Sequence, residues 1–377
     1  MRAKKRNSAR RKLKHDHSVL VLQGGGSLGS YQAGVYEGMV ERGIAPDWIA
    51  GVSIGAINAA LIAGNPPERR VERMRAFWEE VSSQIPLEIP AFLDPVRLAF
   101  NRVSATAATM FGVPGLFRPR VPPAFLAADG TPEALSIYDT SPLRATLLGL
   151  VDFDLINSKA VRLSMGSVNV QTGSSVYFDN RDQVIGPEHV MASGALPPGF
   201  PPIIIDGNHY WDGGIVSNSP LWYVLDDAPQ ISALVVQVDL FSARGKLPLN
   251  LDEVMERAKD IQYSSKTRFN TSRVKELEDL RAALGRLLRK MPAAVRNDPD
   301  YQRLLPISAA KRHLSLIHLI NRRLASSSNA KDYEFSRATM RQLWDGGLED
   351  MRRTCAHPDW DRASELVEGV RIYDLAH

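Results

Sequence analysis

The stretch "DWIAGVSIGAINAALIAG" (residues 47–64) runs from a short apolar segment, through a serine flanked by glycines, into small helix formers. The Gly-x-Ser-x-Gly spacing at Gly51, Ser53 and Gly55 suits a sharp strand-to-helix turn that lifts a hydroxyl clear of a sheet. The pentapeptide alone leaves a second reading open. Gly-rich turns are common punctuation, and Gly51 and Gly55 could serve only to let strand and helix pack closely. The preceding residues repeat the pattern. "HSVLVLQ" (17–23) is a β-rich run, "GGGSLG" (24–29) turns it, and "SYQAGVYEGMVERG" (30–43) keeps helical apolar spacing and stops at Gly43. Two successive strand–turn–helix units with apolar strands predict an α/β fold: a mainly parallel sheet, covered by helices on both faces.

Further along, residues 68–82 read as helix. Residues 83–135 are apolar and broken by prolines, the pattern of a lid or binding loop. Within them Met110 and Phe111 stand out as candidate acyl-site residues, in a segment that Gly112, Pro114 and Gly115 interrupt. "SPLRATLLGL" is a helix capped by Ser141, and "VRLSMGSVNV" and "SSVYF" are strands joined near Gly173. "EHVMASGALPPGFPP" starts helical and breaks at its prolines, and "ALVVQVDLF" (233–241) is a buried strand. After Arg244 an amphipathic helix or helix pair extends to Pro292. A late strand, "HLSLIHLIN", follows, then two helices, "SRATMRQLWDGGLEDMRRTC" and "DRASELVEGV". The expected organisation is a basic arm over 1–16, an α/β domain over 17–245 and a mostly helical region over 246–377.

Composition narrows the class. With 44% hydrophobic and 23% charged residues the chain is globular, and no apolar run is long enough to span a bilayer. The single cysteine, Cys355, excludes an internal disulfide and points to a reducing, cytoplasmic setting. Residues 1–16 hold eight of the 46 Lys and Arg but one of the 42 Asp and Glu, so the body is close to neutral. The basic character is that of a solvated arm, with attraction to anionic membrane as its functional alternative. No specific nucleic-acid partner is expected. The apolar run after the arm is too short for a secretory core and reads as the first strand.

Three glycine motifs stand in order: "GGGSLG" at 24–29, "GVSIG" at 51–55 and "WDGGIVSNSP" at 211–220. The first also fits the dinucleotide fingerprint. That site wants an acidic residue at the end of the second strand, and here the strand ends at Ser53. Consecutive glycines at a helix N-terminus instead point backbone N–H groups at one spot, where a tetrahedral oxyanion can be held. Asp206, in "DGNH", shares the Asp-Gly look but reads as a hairpin turn.

In this order and spacing the three motifs resemble the patatin-like phospholipase family, as does "ASGALPPGFPP" (192–202) ahead of the third. The resemblance covers residues 17–245 and implies a three-layer sandwich. It further implies an oxyanion hole at Gly24, Gly25 and Gly26, a nucleophile at Ser53 and its base at Asp212. Gly29, Gly51, Gly55, Gly213 and Gly214 are the remaining motif glycines. The family often carries Arg or Lys before the last glycine of the first motif, where this chain has Leu28. The C-terminal stretch "KDYEFSRATMRQLWDGGLEDMRRTCAHP" resembles the extension of one bacterial subgroup. Its second "WDGG" (344–347), in a helical stretch, is read as coincidence.

The implied activity is hydrolysis of a fatty-acyl ester through a Ser–Asp dyad and an acyl-serine, with no cofactor and no metal. The alternatives are a non-hydrolytic lipid-binding or scaffold protein, an acyltransferase, or a polyester hydrolase. His313, His318 and His357 all follow Asp212, so chain order alone permits a Ser–Asp–His triad, but none sits in a Gly-flanked loop after a strand. Peripheral membrane contact and a homo-oligomer are the partner expectations beyond substrate, and the C-terminal region is expected to shape the acyl site or an oligomer interface.

Overall fold

The computed structural model describes residues 15–84, 94–227, 232–265, 267–309, 313–322, 331–363, 365 and 369–375. The basic arm up to residue 14 and the "SSSN" tract lie outside them. The elements in chain order begin with β1 (His17–Leu22), α1 (Ser30–Glu41), β2 (Trp48–Val52), α2 (Ile54–Ala63), α3 (Arg70–Val81) and α4 (Asp94–Phe111). There follow β3 (Arg118–Pro119), β4 (Tyr138–Asp139), α5 (Ser141–Leu150), α6 (Phe153–Asn157), β5 (Arg162–Asn169), β6 (Ser175–Asp179) and α7 (Pro187–Ser193). Next come β7 (Ile203–Ile205), β8 (Asn208–Asp212), α8 (Leu221–Asp227), β9 (Ser232–Asp239), α9 (Leu251–Tyr263) and α10 (Thr267–Lys290). The chain closes with α11 (Pro299–Ala309), β10 (His313–Ile320), α12 (Arg337–Ala356), α13 (Trp360–Ala363) and β11 (Gly369–Tyr373).

Among the described residues, nine strands form one sheet in the order β11-β10-β9-β1-β2-β5-β8-β7, with β6 also paired to β5. From β11 to β5 every pairing is parallel, and β6, β7 and β8 add antiparallel partners at one edge. Alternate residues of the central strands point to opposite faces. Leu20, Leu22, Ile49 and Val236 join the large core, while Val19, Val21, Ala50 and Val235 pack with Leu221, Val224 and Leu225 of α8 on the other side. Burial on both faces explains why these strands read as unbroken apolar runs. No helix among the described residues is long and apolar enough to cross a membrane.

Several sequence expectations change in detail. α4 is a regular helix inside the stretch expected to be irregular; its breakers, Gly112, Pro114 and Gly115, all lie beyond its end. Ser141 is the first residue of α5 rather than its cap, and Asp139 accepts from its N–H (2.9 Å) and hydroxyl (2.7 Å). "DRASELVEGV" is not a helix throughout: α13 ends at Ala363, and Gly369 opens β11, which pairs with β10.

β10 and β11 extend the same sheet, and α12 lies along α1. That helix pair is backbone-tight. A Cβ on Gly34 of α1 would overlap the Trp344 carbonyl, and one on Gly347 of α12 would overlap that of Tyr31. The second "WDGG" therefore has a packing role. Tyr31 also donates to the Asp350 carboxylate (2.8 Å) inside the contact. Gly34→Ala and Gly347→Ala should each destabilise by about 1–3 kcal/mol through overpacking. Gly149→Ala, with open space around its α5 position, should be neutral or slightly stabilising. Urea unfolding midpoints check the contrast, and equal midpoints for all three would show that α1 and α12 do not meet in this way.

Candidate active site

Ser53 sits between β2 and α2 with φ 57° and ψ −127°, outside the regions a non-glycine residue ordinarily occupies. Its N–H donates to the Ser193 carbonyl (3.1 Å) and hydroxyl (3.2 Å), and its carbonyl accepts from Ala56 (2.9 Å), so the conformation is pinned from both sides. The turn has no room for side chains at either flank. A Cβ on Gly51 would overlap the Gly55 carbonyl, and one on Gly55 would overlap that of Leu22. The packing reading of these glycines and the exposed-hydroxyl reading are thus the same geometry.

Strand register delivers the aspartate. Val52 pairs with Gly166, and the next residue of β5, Ser167, pairs with Asp212 at the end of β8. A Cβ on Gly166 would press to 2.9 Å from Val52, and one on Gly213 to 2.6 Å from the Gly166 carbonyl. Asp212 is 2% exposed, accepts a hydrogen bond from the Gly214 N–H (2.7 Å) and lines the same cavity as Ser53. Burial pushes its carboxyl up to about 6, against the opposing pull of the nearby Ser53 hydroxyl and the Gly214 N–H. Asp206, by contrast, has φ 48° in the exposed β7–β8 turn beside Gly207 at φ 77°, the left-handed pair of a tight hairpin.

The glycine loop after β1 lies beside Ser53, but its three members differ. The Gly24 N–H donates to the Asn218 carbonyl (3.1 Å), which corrects the expectation that Gly24 supplies an oxyanion donor. Its glycine identity answers to crowding, since a Cβ there would overlap the Asn218 amide and reach 3.0 Å from the Ser53 Cβ. The Gly25 and Gly26 N–H groups make no hydrogen bond to another described residue. Gly26 has φ 56°, and Gly29 packs on Ile54 and Trp78. Leu28, where the family often has a cation, is fully buried in the core.

Sequence reasoning missed the groups that hold this loop. Gln23 is fully buried; its amide donates to the Tyr263 carbonyl (2.9 Å) and accepts from the Leu240 (2.6 Å) and Phe241 (3.0 Å) N–H groups. Asn218 donates to the carbonyls of Gly24 and Tyr263, both at 3.0 Å. Ser193 links the elbow to the Gly166 carbonyl (2.6 Å). Asn218 and Ser193 lay inside the quoted third motif and "ASGALPP", yet nothing in their spacing marked a role.

Ser53 and Asp212 open onto a cavity of about 110 Å³. Ile57, Leu116, Phe117, Leu143, Met191 and Phe200 give it an apolar wall. Met110 and Phe111 are not in it: they are 64% and 67% exposed on α4, so the lid expectation moves to Leu116 and Phe117, past the helix end. Among the described residues no histidine lines the cavity. His318 donates instead to Asp239 (2.6 Å), which corrects its candidacy as a triad member.

Fold and site define an α/β protein that presents a serine on a strand–helix elbow to a buried carboxylate. The chain belongs to the patatin-like phospholipase family, whose sequence profile matches residues 20–225, more than half its length. A second profile, described as patatin phospholipase, matches residues 261–365. Among solved structures, VipD from Legionella pneumophila is similar at 15% identity over 88% of this chain and 67% of that one, with a TM-score of 0.32. Comparison with curated proteins gave no match.

The raised Asp212 carboxyl has a consequence for stability. The folded state holds this proton more tightly than the unfolded chain, whose carboxyl titrates near 3.8. Below that value the group contributes nothing, and stability is lost as pH rises through about 6, to the extent of about 3 kcal/mol. Asp212→Asn should therefore raise the melting temperature at pH 8 but not at pH 4. Thermal melts across that range check it; equal shifts at both ends would mean that the carboxylate carries no burial penalty.

Proposed function

We propose that the protein is a serine acyl hydrolase acting on fatty-acyl esters. The observation that carries this reading is that Ser53, on its strained elbow, and the buried Asp212 line one largely apolar cavity. Asp212 takes the Ser53 proton as Oγ bonds to the acyl carbon, and the carbonyl oxygen becomes an oxyanion facing the free N–H groups of Gly25 and Gly26. Collapse breaks the ester C–O bond, and the departing alkoxide takes the proton from Asp212. Water then gives a proton to Asp212 while its oxygen attacks the acyl-serine. Ser53 leaves with that proton as the fatty acid is released. A carboxyl raised to about 6 suits both duties, since it is mainly ionised at neutral pH yet is a stronger base than an ordinary aspartate.

Activity on a soluble short-chain ester should rise as pH climbs through about 6, where the basic form of Asp212 accumulates. A fluorophosphonate probe should label Ser53, identified by peptide mapping. Ser53→Ala should abolish labelling, and Asp212→Asn should cost roughly 1,000-fold or more in turnover. His313→Ala and His357→Ala should retain most activity. Labelling at another residue would overturn the assignment of Ser53. A folded wild type that neither labels nor turns over ester would leave lipid binding without hydrolysis as the reading.

A further inference from the structure

The cavity is not closed by the region matching the first family profile alone. Tyr263, Asp332, Tyr333 and Phe335 also line it, and all four lie beyond residue 225. Tyr263 is the last residue of α9, and its carbonyl accepts the Gln23 and Asn218 amides that hold the glycine loop. The other three belong to a short strap, residues 331–335, that runs into the N-cap of α12. This strap lies on the loop itself. The Ser27 hydroxyl donates to the Lys331 carbonyl (2.8 Å), and the Asp332 carbonyl sits where a Gly26 side chain would be.

Its fastening is ionic and largely buried. The Lys331 ammonium lies 3.0 Å from Glu256 and 2.6 Å from Asp260, with its side chain 11% exposed. Lys259 pairs with Asp332 at 2.7 Å and approaches the Tyr333 ring at 5.5 Å. Every one of those ionic partners is on α9, so helix and strap form one body beside the cavity. Besides Asp332, paired with Lys259, that body presents the Tyr263, Tyr333 and Phe335 rings to the cavity. Phe335 packs against the core, and burial, followed by the Asp332 carboxylate, pushes the Tyr333 phenol up, so it stays protonated.

We propose that Tyr333 and Phe335 are specificity-determining residues that form the roof over the acyl chain, held there by the ion pairs between the 331–335 strap and α9. The proposal rests on Ser53 as the acyl acceptor. The strap and the glycine loop are in direct contact, so an acyl chain bound to Ser53 meets the strap as well as Leu116, Phe117 and Phe200. Removing a ring from the roof lengthens or widens the space available to the chain. One methylene of fit is worth roughly 10–200-fold in discrimination, so the effect falls on the choice between acyl lengths.

The test is kcat/KM for a series of p-nitrophenyl esters from acetate to palmitate with Tyr333→Ala and Phe335→Ala. The readout is the long-to-short ratio, and fluorophosphonate labelling of Ser53 is measured in parallel. At least one variant should shift the ratio by about tenfold toward longer chains. A ratio within about threefold of wild type in both, with Ser53 still labelled, would overturn the roof while leaving the hydrolase reading intact. Should either alanine variant fail to fold, Tyr333→Phe and Phe335→Leu are measured by the same criterion. Failure of the wild type to label would sink the hydrolase reading itself, and this proposal with it.

Discussion

Everything at the candidate site depends on the backbone of Ser53 being held at φ 57° and ψ −127°. A serine does not adopt that conformation unaided, and the cost is of order 1–3 kcal/mol. The surrounding structure meets it with hydrogen bonds from α7 and from the first turn of α2, and by excluding side chains at Gly51 and Gly55. Because those two glycines are spaceless, α2 runs directly beneath the end of β1, which brings the glycine loop beside the hydroxyl. The same tightness recurs at Gly166 and Gly213, where the strand pairing that aligns Asp212 leaves no room for a Cβ. Ser53, the glycine loop and Asp212 are thus fixed by backbone contacts, with few side chains involved.

That economy explains what could be read from the chain. Glycines that the backbone cannot do without appear as short motifs, so the turns that hold Ser53, Asp212 and the loop were legible, as were β1, β2, β5, β9 and the helices α1, α2, α3 and α5. Their apolar runs follow from burial on both sides of a parallel sheet. The hairpin at Asp206 was equally clear, because only a few residues tolerate two successive left-handed positions.

What stayed hidden was relational. Gly24 looked like an oxyanion donor until its N–H was seen to be engaged by Asn218, a partner 194 residues away. Gln23 and Asn218 carry no spacing signal, since one amide buried against several carbonyls is a three-dimensional fact. The breakers near residue 112 were taken to dissolve a helix that they only terminate. The helix reading of residues 361–370 ran into the first two residues of β11, whose short, half-exposed edge lacks the apolar run that identifies its neighbours. The strap at 331–335 has no regular pattern at all, yet it touches the loop.

The hydrogen bond from Ser27 to Lys331 spans 304 positions, and the cavity wall is assembled from both sides of that gap. Contacts so distant in sequence are slow to form, because a long loop must close before any of them rewards the chain. During synthesis the elbow and Asp212 leave the ribosome well before residue 335 does. The cavity beside Ser53 therefore gains its full wall only when the distal segment folds back onto the glycine loop.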